Sequence, residues 1–386
     1  MFSRDRKTPL AEWWWTVDRE MLAALFILMA VGIVMSFAAS PAVAVRLGLD
    51  QWHFIVRHML FAVPAVAVTI GASLLTARQA RLAALVILLV SIGLLALTLL
   101  YGTEVNGSKR WVGFAGFSIQ PSEFAKPAFA VIAAWLMAER MNRRDVPGHA
   151  IVVVLLAVIV GFLVVQPDVG QTALMVLTWA SLLFIAGISW WLIFILAGTA
   201  AAGITAAYLL FPHVSRRIDA FMSPGTGDTY QVDKALQSLI EGGWFGRGPG
   251  EAVANRSLPD AHADFVFSAA AGEFGILFCL ALVLVIGFVS VRGLIRAQGL
   301  PDMFSRLAVS ALALQFGLQS AINLAVNINL IPPKGMTLPF VSYGGTSMLA
   351  VAFGMGVLLS LTRRKPQEAI ATGLPLEREA LRHEAV

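Results

Sequence analysis

Three ionisable side chains fall within five residues of one another in the segment 257–267, SLPDAHADFVF: Asp260, His262 and Asp264. They stand where a long polar stretch gives way to an apolar run, and an acid at such a boundary is costly unless it has a partner or a task. A carboxylate there can take a proton from a hydroxyl as a general base. It can equally cap the helix that Phe265, Val266 and Phe267 begin, by accepting from free backbone N–H groups. The local sequence leaves both open.

Other charges stand at comparable boundaries. Glu123 and Lys126 lie three apart at the start of an apolar run, so they share a helix face and can neutralise each other at membrane depth. Such a pair either fixes helix packing or lines a cavity. Lys109 and Arg110, in a loop beginning at Gly102, are either solvated charges or phosphate-binding cations. Asp168, in Gln166-Pro167-Asp168-Val169-Gly170, reads as a turn or cap residue. Residues 328–342 hold Lys334 among Pro, Gly and apolar side chains, a composition for non-helical backbone at membrane depth. The glycines at 242–250 lack the Gly-Lys-Ser/Thr ending of a nucleotide loop and read as a bent segment that brings backbone close to a neighbour. No Cys/His metal spacing and no Gly-x-Ser-x-Gly elbow occur.

The elements that must carry these groups follow from composition. Of 386 residues, 58% are hydrophobic and 13% charged, which defines a polytopic membrane protein. The net charge of +5 resides mostly in short loops and tails between apolar runs, a topology signal that excludes a nucleic-acid patch. The single cysteine, Cys279, sits inside an apolar run, so no intrachain disulfide forms. Span-length runs at 21–40, 53–75, 80–101, 122–141, 149–166, 171–187, 188–211, 265–292, 304–327 and 345–362 predict an all-α bundle of about ten transmembrane helices. The first is too long for a signal-peptide core and reads as a retained helix. Arg78, Arg81, Arg140, Arg143, Arg144, Arg292, Arg296, Arg306, Arg363, Arg364 and Lys365 all fall on the side of the basic N-terminal tail, which predicts cytoplasmic termini. The expected organisation is a tail over 1–20, one membrane domain over 21–363 with a large extracytoplasmic loop at 212–263 between helices seven and eight, and a C-terminal tail over 364–386. An outward face rich in carboxylates, cations and a re-entrant segment suits an anionic, lipid-linked substrate.

Residues 106–111, 120–126, 166–170, 258–267 and 332–347 together resemble the SEDS family of bacterial peptidoglycan polymerases along nearly the whole chain. Lys334-Gly335 ahead of Thr337-Leu338-Pro339, and the basic end at Arg363, resemble the division members rather than the elongation members. Asn329 departs from the family signature, which usually has a small residue there. The resemblance implies a glycosyltransferase that polymerises lipid II during septal wall synthesis, with inversion at the donor anomeric carbon. It implies Asp264 as catalytic base, Glu123 and Lys126 as a charge pair at a central cavity, and Lys334 as a lysine typical of the division subgroup. Lys109, Arg110 and Lys334 are then the candidates for gripping the diphosphate, with Mg²⁺ or Mn²⁺ as a possible bridging ion and no protein metal site. The partners implied are lipid II, membrane lipid, a class B penicillin-binding protein (FtsI-like) and other division proteins, at the septum of the bacterial inner membrane. A lipid II flippase, an elongation-type polymerase and a scaffold for the transpeptidase are the alternatives.

Overall fold

A computed structural model describes residues 9–105, 108–114, 117–143, 145–187, 190–210, 215, 219, 230–333 and 335–363. The expected C-terminal tail, Lys334, and most of 212–229 lie outside them. A short helix α1 (Pro9–Thr16) leads into α2 (Arg19–Arg46), α3 (His53–Ser73) and α4 (Ala77–Tyr101). After a small sheet come α5 (Pro121–Asn142), α6 (Gly148–Val165), α7 (Val169–Ile185) and α8 (Trp190–Leu210). Two further helices, α9 (Tyr230–Gly242) and α10 (Val253–Ser257), precede α11 (Val266–Gln298), α12 (Met303–Asn327) and α13 (Gly345–Leu361). Each apolar run read from the sequence is thus occupied by a helix. Six of them, α2, α3, α4, α6, α11 and α12, are long and apolar enough to cross a membrane; α7 and α13 are apolar but shorter.

Local signals explain where these helices start. Asp18, Asp168 and Asp302 each accept a backbone N–H as N-caps of α2, α7 and α12, and Thr76 with Gln79 forms a capping box on α4. Pro121 opens α5, where its missing N–H costs nothing. Buried residues occupy nearly every face of α5, which packs against α4, α6, α7, α12 and α13. A helix surrounded in this way lies inside the bundle and can carry charge there.

The loop after α4 folds as three antiparallel strands, β1 (Thr103–Val105), β2 (Ser108–Phe114) and β3 (Phe117–Ile119), in the order β1-β2-β3. Glu104 stands opposite Lys109, and Val112 opposite Ile119. The expected large loop contains α9 and α10, which fold against the first third of α11.

That first third is set off by a break at Gly275, whose φ of 83° suits only glycine. A Cβ there would collide with the Trp244 carbonyl oxygen. Backbone groups at the break find partners in the loop. Ile276 and Leu277 donate to the carbonyls of Gly243 and Trp244, while Arg247 and Gly248 donate to those of Gly272 and Glu273. The glycine-rich segment is therefore a clasp on a broken helix.

At the opposite end of α11, Arg292 and Arg296 each place Nε 2.8 Å from Asp18 Oδ2. Burial alone would push the Asp18 pKa up. Hydrogen bonds from Arg292, the Met21 N–H and Arg296 outweigh it and hold the carboxyl below the ordinary carboxylate range. Asp18→Asn should destabilise the protein by roughly 2 kcal/mol, discounted for the solvent-exposed side of the arginines. A depressed pKa contributes stability above the unfolded value and loses it as pH falls. Thermal unfolding in detergent should therefore show the full deficit at neutral pH and none once wild-type Asp18 is protonated.

Candidate functional site

The segment 259–265 forms a tight turn in which Ala263 and Phe265 donate to the Asp260 carbonyl. The turn's own peptide groups are held from α12: Asn323 Nδ2 and Asn327 Nδ2 each donate to the Asp264 carbonyl at 2.9 Å. Asp264 does not cap α11. The N-cap position is Phe265, with no side-chain cap bond, and the Ser268 N–H that a cap would receive donates instead to Asn327 Oδ1 at 2.9 Å. An amide from a neighbouring helix thus takes the capping role and leaves the Asp264 carboxyl to face elsewhere.

It faces Gly335 and Arg110. A Cβ built on Gly335, at φ +66°, would lie 3.7 Å from Asp264 Oδ2 and 4.0 Å from Arg110 Nη1, so acid and guanidinium both border the space left by the missing side chain. Arg110 reaches there from β2 and is anchored on the other side. Its Nη2 donates to the Pro167 carbonyl at 2.6 Å, its Nε to the Gln166 carbonyl at 3.3 Å, and Nε lies 3.9 Å from Asp168 Oδ2. Gln120 donates to the same carboxylate oxygen. The Gln-Pro-Asp segment read as a turn is a turn, and it is also the seat of Arg110. Burial raises the Asp168 pKa, and Arg110 opposes the rise.

Glu123 and Lys126 pair at 2.8 Å with side chains only 4% and 2% exposed. Lys126 Nζ also donates to Gln319 Oε1 at 2.9 Å, and Gln171 donates to Glu123. Gln319 Nε2 donates in turn to the Thr337 carbonyl at 3.1 Å, and Asn323 Nδ2 to the Met336 carbonyl at 2.6 Å. The ion pair in α5, the amides of α12, the segment 335–342 and the Asp264 turn are therefore one connected network.

The neighbours of Asp264 have separate tasks. The His262 ring packs on Phe54 at 4.3 Å and near Tyr343 at 5.3 Å, and its carbonyl accepts from the Tyr343 N–H. Burial, helped by Arg46, drops its pKa to about 4, so it is a neutral packing element. Asp260, exposed at φ +50°, supplies negative charge beside Asp264. Burial first, then Asp260, raises the Asp264 pKa to about 7 against the opposing pull of Arg110.

Of the residues singled out in the sequence, Asp264 and Arg110 come together, and Glu123 with Lys126 joins them through α12. Lys109 neighbours Arg110 on β2, and strand alternation sends the two to opposite faces. Gln319, Asn323, Asn327 and Gln171 were missed. A signal existed: Gln315, Gln319, Asn323 and Asn327 recur at intervals of four, a polar stripe along one face of an apolar run. Among the described residues no group of three or more His, Cys, Asp or Glu could hold a metal ion.

A multi-pass helical bundle with a buried ion pair, a clasped broken helix and a half-buried acid beside a seated arginine defines an integral membrane protein with its polar groups gathered at one end. The profile of the cell cycle protein family that takes in FtsW, RodA and SpoVE matches residues 18–367. The chain belongs to this family, the SEDS proteins. It is 44% identical over 375 residues to a probable peptidoglycan glycosyltransferase FtsW of Caulobacter vibrioides, covering 96% of each chain. It is 32% identical to the FtsW so described in Pseudoalteromonas translucida, covering 92% of each. Among solved structures, a chain of a peptidoglycan synthase complex that coordinates polymerization and crosslinking superposes with TM-score 0.76 at 26% identity, over 90% of this chain and 98% of that one. The Thermus thermophilus rod shape determining protein RodA gives 0.66 at 25% identity, over 90% and 97%.

The raised Asp264 pKa has a thermodynamic signature. Between about pH 4 and pH 7 the folded chain keeps a proton that the unfolded chain has released, so stability falls as pH climbs through that window and levels above it. Asp264→Asn removes the effect. Its thermal midpoint should gain on wild type steadily from pH 5 to pH 8, and parallel pH curves for the two proteins would contradict a raised pKa.

Proposed function

We propose that the chain is a peptidoglycan glycosyltransferase that polymerises lipid II into glycan strands during septal wall synthesis, with Asp264 as general base. One observation carries the reading: the Asp264 carboxyl, with its pKa at about 7, stands across Gly335 from the seated Arg110 in a chain of the SEDS family. A base titrating near the working pH combines adequate basicity with a usable ionised fraction. Asp264 takes the proton of the acceptor sugar hydroxyl. The oxygen attacks the donor anomeric carbon from the face opposite the diphosphate, the bond from that carbon to the diphosphate oxygen breaks, and configuration inverts. The leaving diphosphate is anionic and needs cationic stabilisation rather than a strong acid. Arg110 supplies it on this reading, which the anchoring of its guanidinium by the Gln166 and Pro167 carbonyls supports. Lys334 is a secondary candidate, whereas Lys109, on the face of β2 opposite to Arg110, is turned away from this site. Among the described residues no cluster of His, Cys, Asp or Glu could hold a metal ion, so a divalent ion taking part here would arrive with the diphosphate.

On this reading the Asp264 end of the bundle faces outward from the bacterial inner membrane, at the division septum. Both termini are cytoplasmic, and residues 21–363 form the catalytic membrane domain. The expected partner is a class B penicillin-binding protein. Likeness to a chain of a synthase complex that joins polymerization to crosslinking supports such a pairing. The relatives' names favour the division role over elongation.

The test is polymerisation of lipid II in detergent by the purified protein with its class B partner. Asp264→Asn should lose at least about 100-fold in rate, and wild-type activity should rise between pH 6 and pH 8 with an apparent pKa near 7. Polymer undiminished in Asp264→Asn would rule out the base. Unpolymerised lipid II from the wild type would favour the flippase.

A further inference from the structure

The clasp on the broken helix is tied to the acidic turn by a line of buried side chains that the proposed chemistry does not use. Glu273, two residues before the break, is 2% exposed and accepts from the Gly250 N–H of the clasp. It also accepts from Asn255 Nδ2 of α10 at 3.0 Å. The Asn255 amide is buried and fully engaged. Its Nδ2 donates a second time, to the Ala269 carbonyl at 3.0 Å, and its Oδ1 accepts from Ser238 Oγ of α9 at 2.5 Å. A carboxylate and a carbonyl can only accept here, so the amide has one orientation.

Ser238 passes the connection on. Its single hydroxyl proton is shared between Asn255 Oδ1 and the Ser268 carbonyl, the latter at 2.8 Å. Ser268 in turn sends its N–H and its Oγ–H to Asn327 Oδ1, at 2.9 and 2.8 Å. An amide oxygen held by two donors leaves Nδ2 to point the other way, onto the Asp264 carbonyl at 2.9 Å. The line Glu273, Asn255, Ser238, Ser268, Asn327 thus ends on the peptide group of the acid itself. Side chains at Gly242 and Gly272 would collide with the Ala271 carbonyl oxygen and with Ser238 Oγ, so α9 lies directly against the first third of α11. Arg110 faces Asp264 from β2 and Asp260 acts on it from the same turn, and neither is on this line.

We infer that Asn255 and Glu273 are positioning residues for Asp264, fixing the depth of the acid by holding Ser268 and, through it, Asn327. Calling Asp264 the base rests on the transferase reading; its depth is measurable without turnover.

The experiment uses the full chain in detergent. In each background the thermal midpoint of the Asp264 protein is compared with that of its Asp264→Asn counterpart from about pH 4 to about pH 8, so that protons taken up elsewhere cancel. Asn255→Asp sets carboxylate against carboxylate, and Glu273→Gln sets donor against donor. Ser238→Ala breaks the line one step further on with no change of charge. In wild type the advantage of Asp264→Asn stops growing near pH 7. In each of the three single variants it should stop at least about one pH unit lower, as the turn loosens and water reaches the acid. Asn255→Asp combined with Glu273→Gln exchanges donor and acceptor and should return that point to its wild-type value. Polymerisation of lipid II should follow the same order, the single variants losing at least about tenfold in kcat with KM within about twofold and the double variant recovering. A lowered thermal midpoint with the growth still ending near pH 7 in all three single variants would make the line merely structural and overturn the inference. A double variant that stays displaced would overturn it too. Polymer undiminished in Asp264→Asn removes the base but leaves the thermal comparison intact, and an unmoved thermal comparison leaves the base standing.

Discussion

Buried amide groups on α12 hold the architecture of this protein together. An Asn or Gln side chain offers two N–H donors and an acceptor oxygen, and in an apolar bundle each must be satisfied inside the protein. Gln319 takes Lys126 on one side and the Thr337 carbonyl on the other. One turn further along, Asn323 bridges the carbonyls of Asp264 and Met336. A turn beyond that, Asn327 adds a second donor to Asp264 and accepts from Ser268. Four residues of spacing place these groups in a column, so one rigid helix sets the relative heights of the ion pair, the 335–342 segment and the acidic turn. None of the three can shift without unpairing a buried polar group, which costs roughly 1–3 kcal/mol.

The same demand explains why charge is concentrated on α5 rather than on a lipid-facing helix. Glu123 and Lys126 cannot be left to hydrocarbon, and their mutual attraction repays desolvation only when the remaining donors and acceptors are used. Gln171 from α7 adds one hydrogen bond to Glu123, and Gln319 from α12 accepts one from Lys126. The result is an internal helix that is less apolar than its neighbours and is not among the six that qualify as spans by length and composition alone.

Much of this was legible in the sequence. The helices were, because the apolar runs are long and several are bounded by Asp, Thr or Pro residues that cap or start them. The strands between 103 and 119 were not: they are short, and their register depends on one another rather than on any strong alternation. The pairing of Glu123 with Lys126 was readable from spacing. Arg110 with the Gln166–Pro167 carbonyls was not, since 56 residues separate Arg110 from Gln166 and no local pattern encodes that contact. The amide column was visible as a period-four stripe, yet polar amides in an apolar run carry no charge to draw notice.

The most instructive divergence concerns Asp264. As an N-cap, its carboxylate would have accepted backbone N–H groups at the positive end of a helix, and both effects stabilise the charged form and weaken the base. The chain avoids this by starting the helix one residue later and giving the Ser268 N–H to Asn327. Freed from capping, the carboxyl responds mainly to burial and to Asp260, and its pKa moves up instead of down. The capping amide is thus an indirect determinant of basicity. Because Asn327 belongs to the same column that positions the turn, placement and proton affinity of the acid are set by one set of hydrogen bonds.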